Sequence, residues 1–189
     1  MVDNSKPLGI ILWFTGLSGS GKTTLAEAVK ASLKKINISV CILDGDIVRA
    51  TNHQNLGFSE SDIKSNNSLI VDMCVLERKK YDVVMVPIIS PYRQSRNEAL
   101  MELSPRFYEI YFSASLECVR RRDVKGLYDK ADNGLINNMI GVSPNNEYQI
   151  PITPDFIINS EKDKLSISVG DLFRFIVFQL KKLSKFEHL

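Results

Sequence analysis

The residues with the clearest chemical capacity are Gly16-Leu-Ser-Gly-Ser-Gly21-Lys22-Thr23, near the start of the 189-residue chain. They fill every fixed position of the G-x-x-x-x-G-K-[ST] phosphate-loop pattern. The glycines leave backbone N–H groups uncovered, so the loop can wrap a phosphate. A helix starting directly after the loop adds the partial positive charge of its amino terminus. In such a loop the lysine, here Lys22, reaches the β- and γ-phosphates, and the Thr23 hydroxyl can ligate Mg2+. A chance Gly/Ser turn is the competing reading, and the apolar run before the loop and the amphipathic run after it argue against that.

A second acidic position separates hydrolases from kinases. A hydrolase carries a carboxylate at the end of an apolar strand, but Val83-Val-Met-Val-Pro-Ile-Ile89 runs into Ser90 with no acid following. The acids come instead at Asp44-Gly45-Asp46, after another apolar run. The carboxyl ends of parallel strands share one crevice, so this pair can face the phosphate loop. One carboxylate would take a proton from an attacking hydroxyl while the other helps hold a metal shell. Gly45 is expected to allow a sharp backbone turn between them. An ordinary Asp-Gly turn is the alternative.

The elements that must position these groups follow from alternating β-branched runs and amphipathic stretches, the pattern of a parallel βαβ sheet. Strands are expected at Ile10–Phe14, Ser39–Leu43, Asp82–Ile89, Phe107–Phe112 and Asp155–Ile158. Pro91 cannot continue a central strand, so the third should stop before it. Helices are expected at Thr23–Lys35, from Ser59 to about Lys80, and at Asn97–Leu103, Leu116–Arg121 and Asp171–Lys185. Ser59 with Asp62 three residues on reads as a capping box. Residues 124–150 are polar, Asn-rich and weakly periodic, as a functional loop would be. The length fits a single domain.

Composition excludes other classes. Lys and Arg total 24 against 22 Asp and Glu, a net charge of only +2, which is not the signature of a dedicated nucleic-acid binder. The run Gly9–Phe14 is too short to span a membrane and lacks a cleavage-site pattern after it, so a cytoplasmic protein is expected. Cys41, Cys74 and Cys118 have no metal or redox spacing and read as small buried residues.

The ordered set Phe14-Thr-Gly-Leu-Ser-Gly-Ser-Gly-Lys-Thr23, Leu43-Asp-Gly-Asp-Ile-Val-Arg49, Leu56-Gly-Phe-Ser59, Ile89-Ser-Pro-Tyr-Arg93 and Arg122-Asp-Val-Lys-Gly-Leu-Tyr128 resembles the adenylylsulfate kinases from about Trp13 to Ile158. That family transfers the ATP γ-phosphoryl group to the 3′-hydroxyl of adenosine 5′-phosphosulfate (APS). The resemblance implies an α/β three-layer phosphate-loop kinase fold with a mainly parallel central sheet and a lid at about residues 120–150. It also implies Mg-ATP as donor and a homodimer, while the charge balance and the short apolar run lead to no expected nucleic-acid or membrane partner. On this likeness Gly16, Ser18, Gly19, Ser20, Gly21, Lys22, Thr23, Thr24 and Arg122 would bind ATP, with Thr23 at the metal. Asp46 would be the general base. Asp44, Arg49, Phe58, Asn66, Ile89, Ser90 and the lid residues Lys125, Gly126 and Leu127 would border the acceptor, with Arg49 on its phosphates and Phe58 stacked on its base. Plainer readings compete: Phe58 as a core aromatic, Arg49 and Arg93 as surface charges, and Asn66 as a polar helix position.

The departures from the family pattern fall on the acceptor side. Ile63 stands where the family has an acceptor-site arginine, Ser68 and Leu69 replace an arginine pair, and Asp132 occupies a position where arginine is common. Met139-Ile140-Gly141 falls where Phe-Thr-Gly is usual. Exchanging arginine for isoleucine removes a bidentate anion clamp. The readings left open are therefore a 3′-kinase for APS, a 3′-kinase for another nucleotide such as a cytidine diphosphoramidate, and a nucleotide-binding regulatory domain without turnover.

Overall fold

A run of six apolar or β-branched residues covered on both faces can only be a central strand, and Ile10–Thr15 (β1) is buried along its whole length. The computed structural model describes residues 7–45 and 59–186. Among them β1 is joined by Val40–Ile42 (β2), Val83–Pro87 (β3), Phe107–Ser113 (β4) and Phe156–Asn159 (β5) in one five-stranded sheet of order β2-β3-β1-β4-β5. Every pairing is parallel, and Phe14 lies opposite Pro87.

The helices that lie wholly among the described residues are Lys22–Lys34 (α1), Glu60–Glu77 (α2), Arg93–Leu103 (α3), Leu116–Arg122 (α4), Leu127–Asp132 (α5) and Leu165–Phe186 (α6). Leu25, Ala26, Val29 and Leu33 of α1, with Leu172 and Ile176 of α6, pack on Ile10, Leu12, Phe14, Met85 and Ile110. Ile70 and Cys74 of α2, with Ala99 and Leu103 of α3, pack on Ile11, Trp13, Val84 and Val86. The alternation of side chains along β1 thus feeds two separate apolar layers, giving the three-layer α/β architecture.

Several boundaries differ from the sequence expectation, and one helix was not expected at all. The third strand stops at Pro87, two residues short of Ile89, because β2 pairs only with Val83–Met85 and the Ile88 N–H turns back to the Val86 carbonyl at 3.0 Å. The third helix begins at Arg93 rather than Asn97. Its N-cap, Tyr92, makes no side-chain cap bond, so no capping residue marks the start. The last helix begins at Leu165, six residues before Asp171. The polar 124–150 stretch contains α5, whose N-cap is Gly126 at φ 61°. The Ser59–Asp62 capping box is formed: the Asp62 N–H donates to Ser59 Oγ at 3.2 Å and the Ser59 N–H to Asp62 Oδ2 at 3.3 Å.

Among the described residues no helix is long and apolar enough to cross a membrane. Cys74 and Cys118 are buried and Cys41 is partly so, all three unpaired.

Candidate active site

The phosphate loop joins the end of β1 to α1 along the carboxyl edge of the sheet. Gly16 passes so close to β4 that a Cβ there would lie 2.8 Å from the Phe112 carbonyl oxygen. Gly21 has φ 88° and caps α1 with no side-chain bond, and the first turn of α1 holds no acid. Ser59 and Ser115 do cap α2 and α4 with their hydroxyls. The first N–H groups of α1 thus lack a side-chain cap and face the loop, where a phosphate oxygen would satisfy them. Lys22 is 7% exposed; its Nζ donates to the Gly16 carbonyl (2.8 Å), the Leu17 carbonyl (2.7 Å) and Ser20 Oγ (3.2 Å). Its charge is held inside the curve of the loop.

The carboxylate expected from the second strand reaches this loop. Thr23 Oγ1 donates to Asp44 Oδ2 at 2.8 Å, and Asp44 is buried. Asp44 therefore sits beside the loop threonine, where one acid of the Asp44–Asp46 pair was expected to help hold a metal shell. Gly45 also marks a close approach: a Cβ there would come to 2.6 Å from Ile88 Cγ2, so glycine lets the chain pass the end of β3 without displacing that side chain. Among the described residues no three His, Cys, Asp or Glu side chains cluster as a metal site. A hydroxyl and one carboxylate fit Mg2+, which takes hard oxygens, keeps several waters and shares substrate phosphates.

Beside the loop lies a cleft of about 280 Å³ lined in part by Gly19, Ser20, Gly21, Thr24, Arg122 and Ser160. Arg122 Nη2 donates to the Ser160 carbonyl at 2.5 Å, tying the end of α4 to the turn after β5. Five of the nine expected ATP-side residues, Gly19, Ser20, Gly21, Thr24 and Arg122, thus line one opening.

On the other side, the turn after β3 is bonded to the loop: the Gly16 N–H donates to the Ile89 carbonyl at 3.2 Å. Ser90 has φ 41° and is buried. Asn66 is 4% exposed, and its Oδ1 has no hydrogen-bond partner among the described residues. A buried acceptor atom left without a partner is costly, and a ligand donor would relieve it. Lys125, Gly126 and Leu127 lie at the start of α5, with Leu127 packed on the cluster of Leu17, Val119, Tyr128 and Met139. Asp46, Arg49 and Phe58 lie outside the described residues.

Several contacts were not foreseen from sequence. Tyr128, buried, donates its hydroxyl to the Ser18 carbonyl at 2.9 Å, so α5 is anchored on the phosphate loop. Tyr148 and Thr15 hydroxyls lie 2.8 Å apart, and Tyr92 donates to Asn146 Oδ1 at 2.7 Å. Burial pushes the Tyr128 and Tyr148 phenols well up, so both stay protonated donors. Ile63 (3% exposed), Tyr92 and Ile140 form a closed apolar cluster. Arg120 pairs with Asp132 at 2.9 Å. The available signal for Tyr128 and Tyr148 was an aromatic residue in an otherwise polar stretch.

A phosphate loop whose threonine meets a second-strand carboxylate, under a three-layer parallel sheet, defines a phosphate-loop phosphotransferase. The family profile of adenylylsulphate kinase matches residues 8–159, and the chain belongs to that family. It is 40% identical to the adenylyl-sulfate kinase of Acaryochloris marina over 171 residues, covering 89% of this chain and 82% of the relative. It is 41% identical to the probable adenylyl-sulfate kinase of Bacillus subtilis over 162 residues, covering 85% and 79%. The Mycobacterium tuberculosis APS kinase CysC in complex with AMPPNP and APS shares the fold at TM-score 0.82 and 33% identity, covering 93% of this chain and 99% of that one.

Proposed function

We propose that the protein transfers the γ-phosphoryl group of ATP to the 3′-hydroxyl of APS, giving 3′-phosphoadenylyl sulfate. The observation that carries the reading is the 2.8 Å bond from Thr23 to Asp44, which places a second-strand carboxylate at the phosphate loop within a member of this family. In this reading the loop N–H groups and Lys22 bind the β- and γ-phosphates and stabilise charge as it shifts during transfer. Thr23 and Asp44 would hold Mg2+, which when bound neutralises phosphate charge. Arg122 and the adjoining cleft take the donor nucleoside. Asn66 and the Ser90 turn border the acceptor, with Arg49 and Phe58 completing it. Asp46 orients the 3′-hydroxyl and takes its proton late in the transfer. The lid carrying Lys125, Gly126 and Leu127 closes over both nucleotides and excludes water.

A second reading draws on the Ile63–Tyr92–Ile140 cluster. Where the family has an acceptor-site arginine, this chain has a closed apolar wall, which suits an acceptor with a less anionic 5′ substituent, such as a cytidine diphosphoramidate. A coupled ADP-release assay over APS and a panel of other nucleotides decides. APS as the best acceptor supports the first reading, another nucleotide the second, and no turnover with any nucleotide a binding domain only.

A cytoplasmic homodimer completes the proposal. A related APS kinase from Thiobacillus denitrificans is hexameric, and sedimentation of the purified protein gives the state of this one.

A further inference from the structure

The buried stripe of α3 contains a cation. Ser95, Arg96, Ala99 and Leu103 face inward, and Arg96 is 3% exposed. A guanidinium leaves water at such depth only when its edges find partners. Nη1 donates to the Ser90 carbonyl at 2.7 Å, Nη2 to the Gln149 carbonyl at 2.7 Å, and Nε lies 2.5 Å from Glu109 Oε1. These partners come from three places: the turn after β3, the end of the 123–150 segment, and β4.

Ser90 is the partner under strain. Its φ of 41° lies in the left-handed region, which a residue other than glycine occupies only when its surroundings over-determine it. Trp13 Nε1 (3.1 Å) and Asn67 Nδ2 (3.2 Å) donate to its Oγ, and Thr15 Oγ1 donates to its carbonyl (3.1 Å). The same turn is laced to the segment: the Gln149 N–H donates to the Pro91 carbonyl at 2.9 Å, and Tyr148 meets Thr15. Among the described residues, Arg96 alone grips a carbonyl on each side with one rigid fork.

We propose that Arg96 is a positioning residue, holding the acceptor-side turn at Ser90 and the 146–150 stretch in one register so that the two move together. The proposal rests on the reading of Ser90 as an acceptor border. Packing alone would not call for it, because an apolar side chain fills such a stripe without the desolvation of a charge. A lysine cannot replace it, since one ammonium nitrogen does not span two carbonyls and a carboxylate lying in different directions.

The test uses Arg96→Lys and Tyr148→Phe in the full-length protein, read by amide hydrogen exchange and by steady-state kinetics with ATP and APS. For Arg96→Lys, peptides covering 88–92 and 146–151 should lose protection together while α1 keeps its own. The acceptor KM should rise by roughly tenfold or more, with the ATP KM within about twofold of wild type. Tyr148→Phe removes one hydroxyl and strands no charge, so it should act in the same direction more weakly, even if Arg96→Lys fails to fold. Loss of protection in only one of the two peptides overturns the proposal. So does an equal rise in both KM values with a lowered Tm, which marks a merely structural arginine. Wild-type enzyme that ignores APS but phosphorylates another nucleotide would remove the APS assignment alone; the exchange result and the KM split on that nucleotide then decide the role of Arg96.

Discussion

Lys22 donates to three oxygens of its own loop from a nearly buried position, so its charge is fixed before any substrate arrives. Lys22→Ala should therefore leave a folded protein with less than about 1% of wild-type turnover, because charge shifting during transfer loses its main counter-charge; circular dichroism controls for folding. Asp46→Asn keeps size and much of the hydrogen bonding but not the basicity. Turnover should fall roughly 10²–10⁴-fold with ATP binding retained, as calorimetry with a non-hydrolysable analogue would report. Near-normal turnover would remove Asp46 from the mechanism. The residues of the loop were legible in sequence because they are contiguous and their chemistry is local. Asp44 was legible as a carboxylate at a strand end able to face the loop, though its direct bond to Thr23 was not. Arg96 was not legible, because its partner Gln149 lies 53 positions away and nothing local announces the pairing. Its one trace is an arginine in the 96, 99, 103 spacing of a buried stripe.

Among the elements, α5 shows how a short helix escapes sequence reading. Its six residues are too few for periodicity, and its N-cap, Gly126, has no side chain, so the first-turn N–H groups are met by Asp123, three residues before the cap. Asp123 accepts from the Tyr128 N–H (3.1 Å) and the Asp129 N–H (3.0 Å). Those N–H bonds hold the Asp123 carboxyl below its ordinary value of 3.8. A depressed folded pKa means that the cap contributes fully above the unfolded value and is lost as pH falls through the folded one. Exchange protection of the Tyr128 and Asp129 amides should thus hold from neutral pH to about 5 and decline below about 3.8. In Asp123→Ala it should be weak throughout, and unchanged protection there would show that the cap is dispensable. The strands were easier to read, since continuous apolar runs have one use in a parallel sheet. The start of α6 was missed because Leu165-Ser-Ile-Ser-Val-Gly170 is a poor helix former, and packing of Val169 and Leu172 on the sheet overrides that propensity.

Over the whole molecule, Ile63 and Ile140 join parts of the chain that the sequence keeps 77 positions apart (140 − 63). Ile63→Arg would restore the family residue, but at a position only 3% exposed and closed by Tyr92 and Ile140. The charge would enter an apolar cluster, so Tm should fall by about 3 °C or more. Adding Ile140→Thr should recover part of the loss and raise the preference for APS. A single variant that melts like wild type would show that the wall opens to water. The two substitutions read in sequence as separate departures, and only the fold makes them one.

Tyr128 on the phosphate loop and Tyr148 on Thr15 tie one segment to both halves of the site. Such a tether would let the two nucleotides act as thermodynamic effectors of each other. Whatever factor the acceptor applies to donor affinity, the donor must apply to acceptor affinity, because the four binding equilibria close a cycle. The protein would then weigh its two substrates jointly, and a change in the supply of either would alter its response to the other.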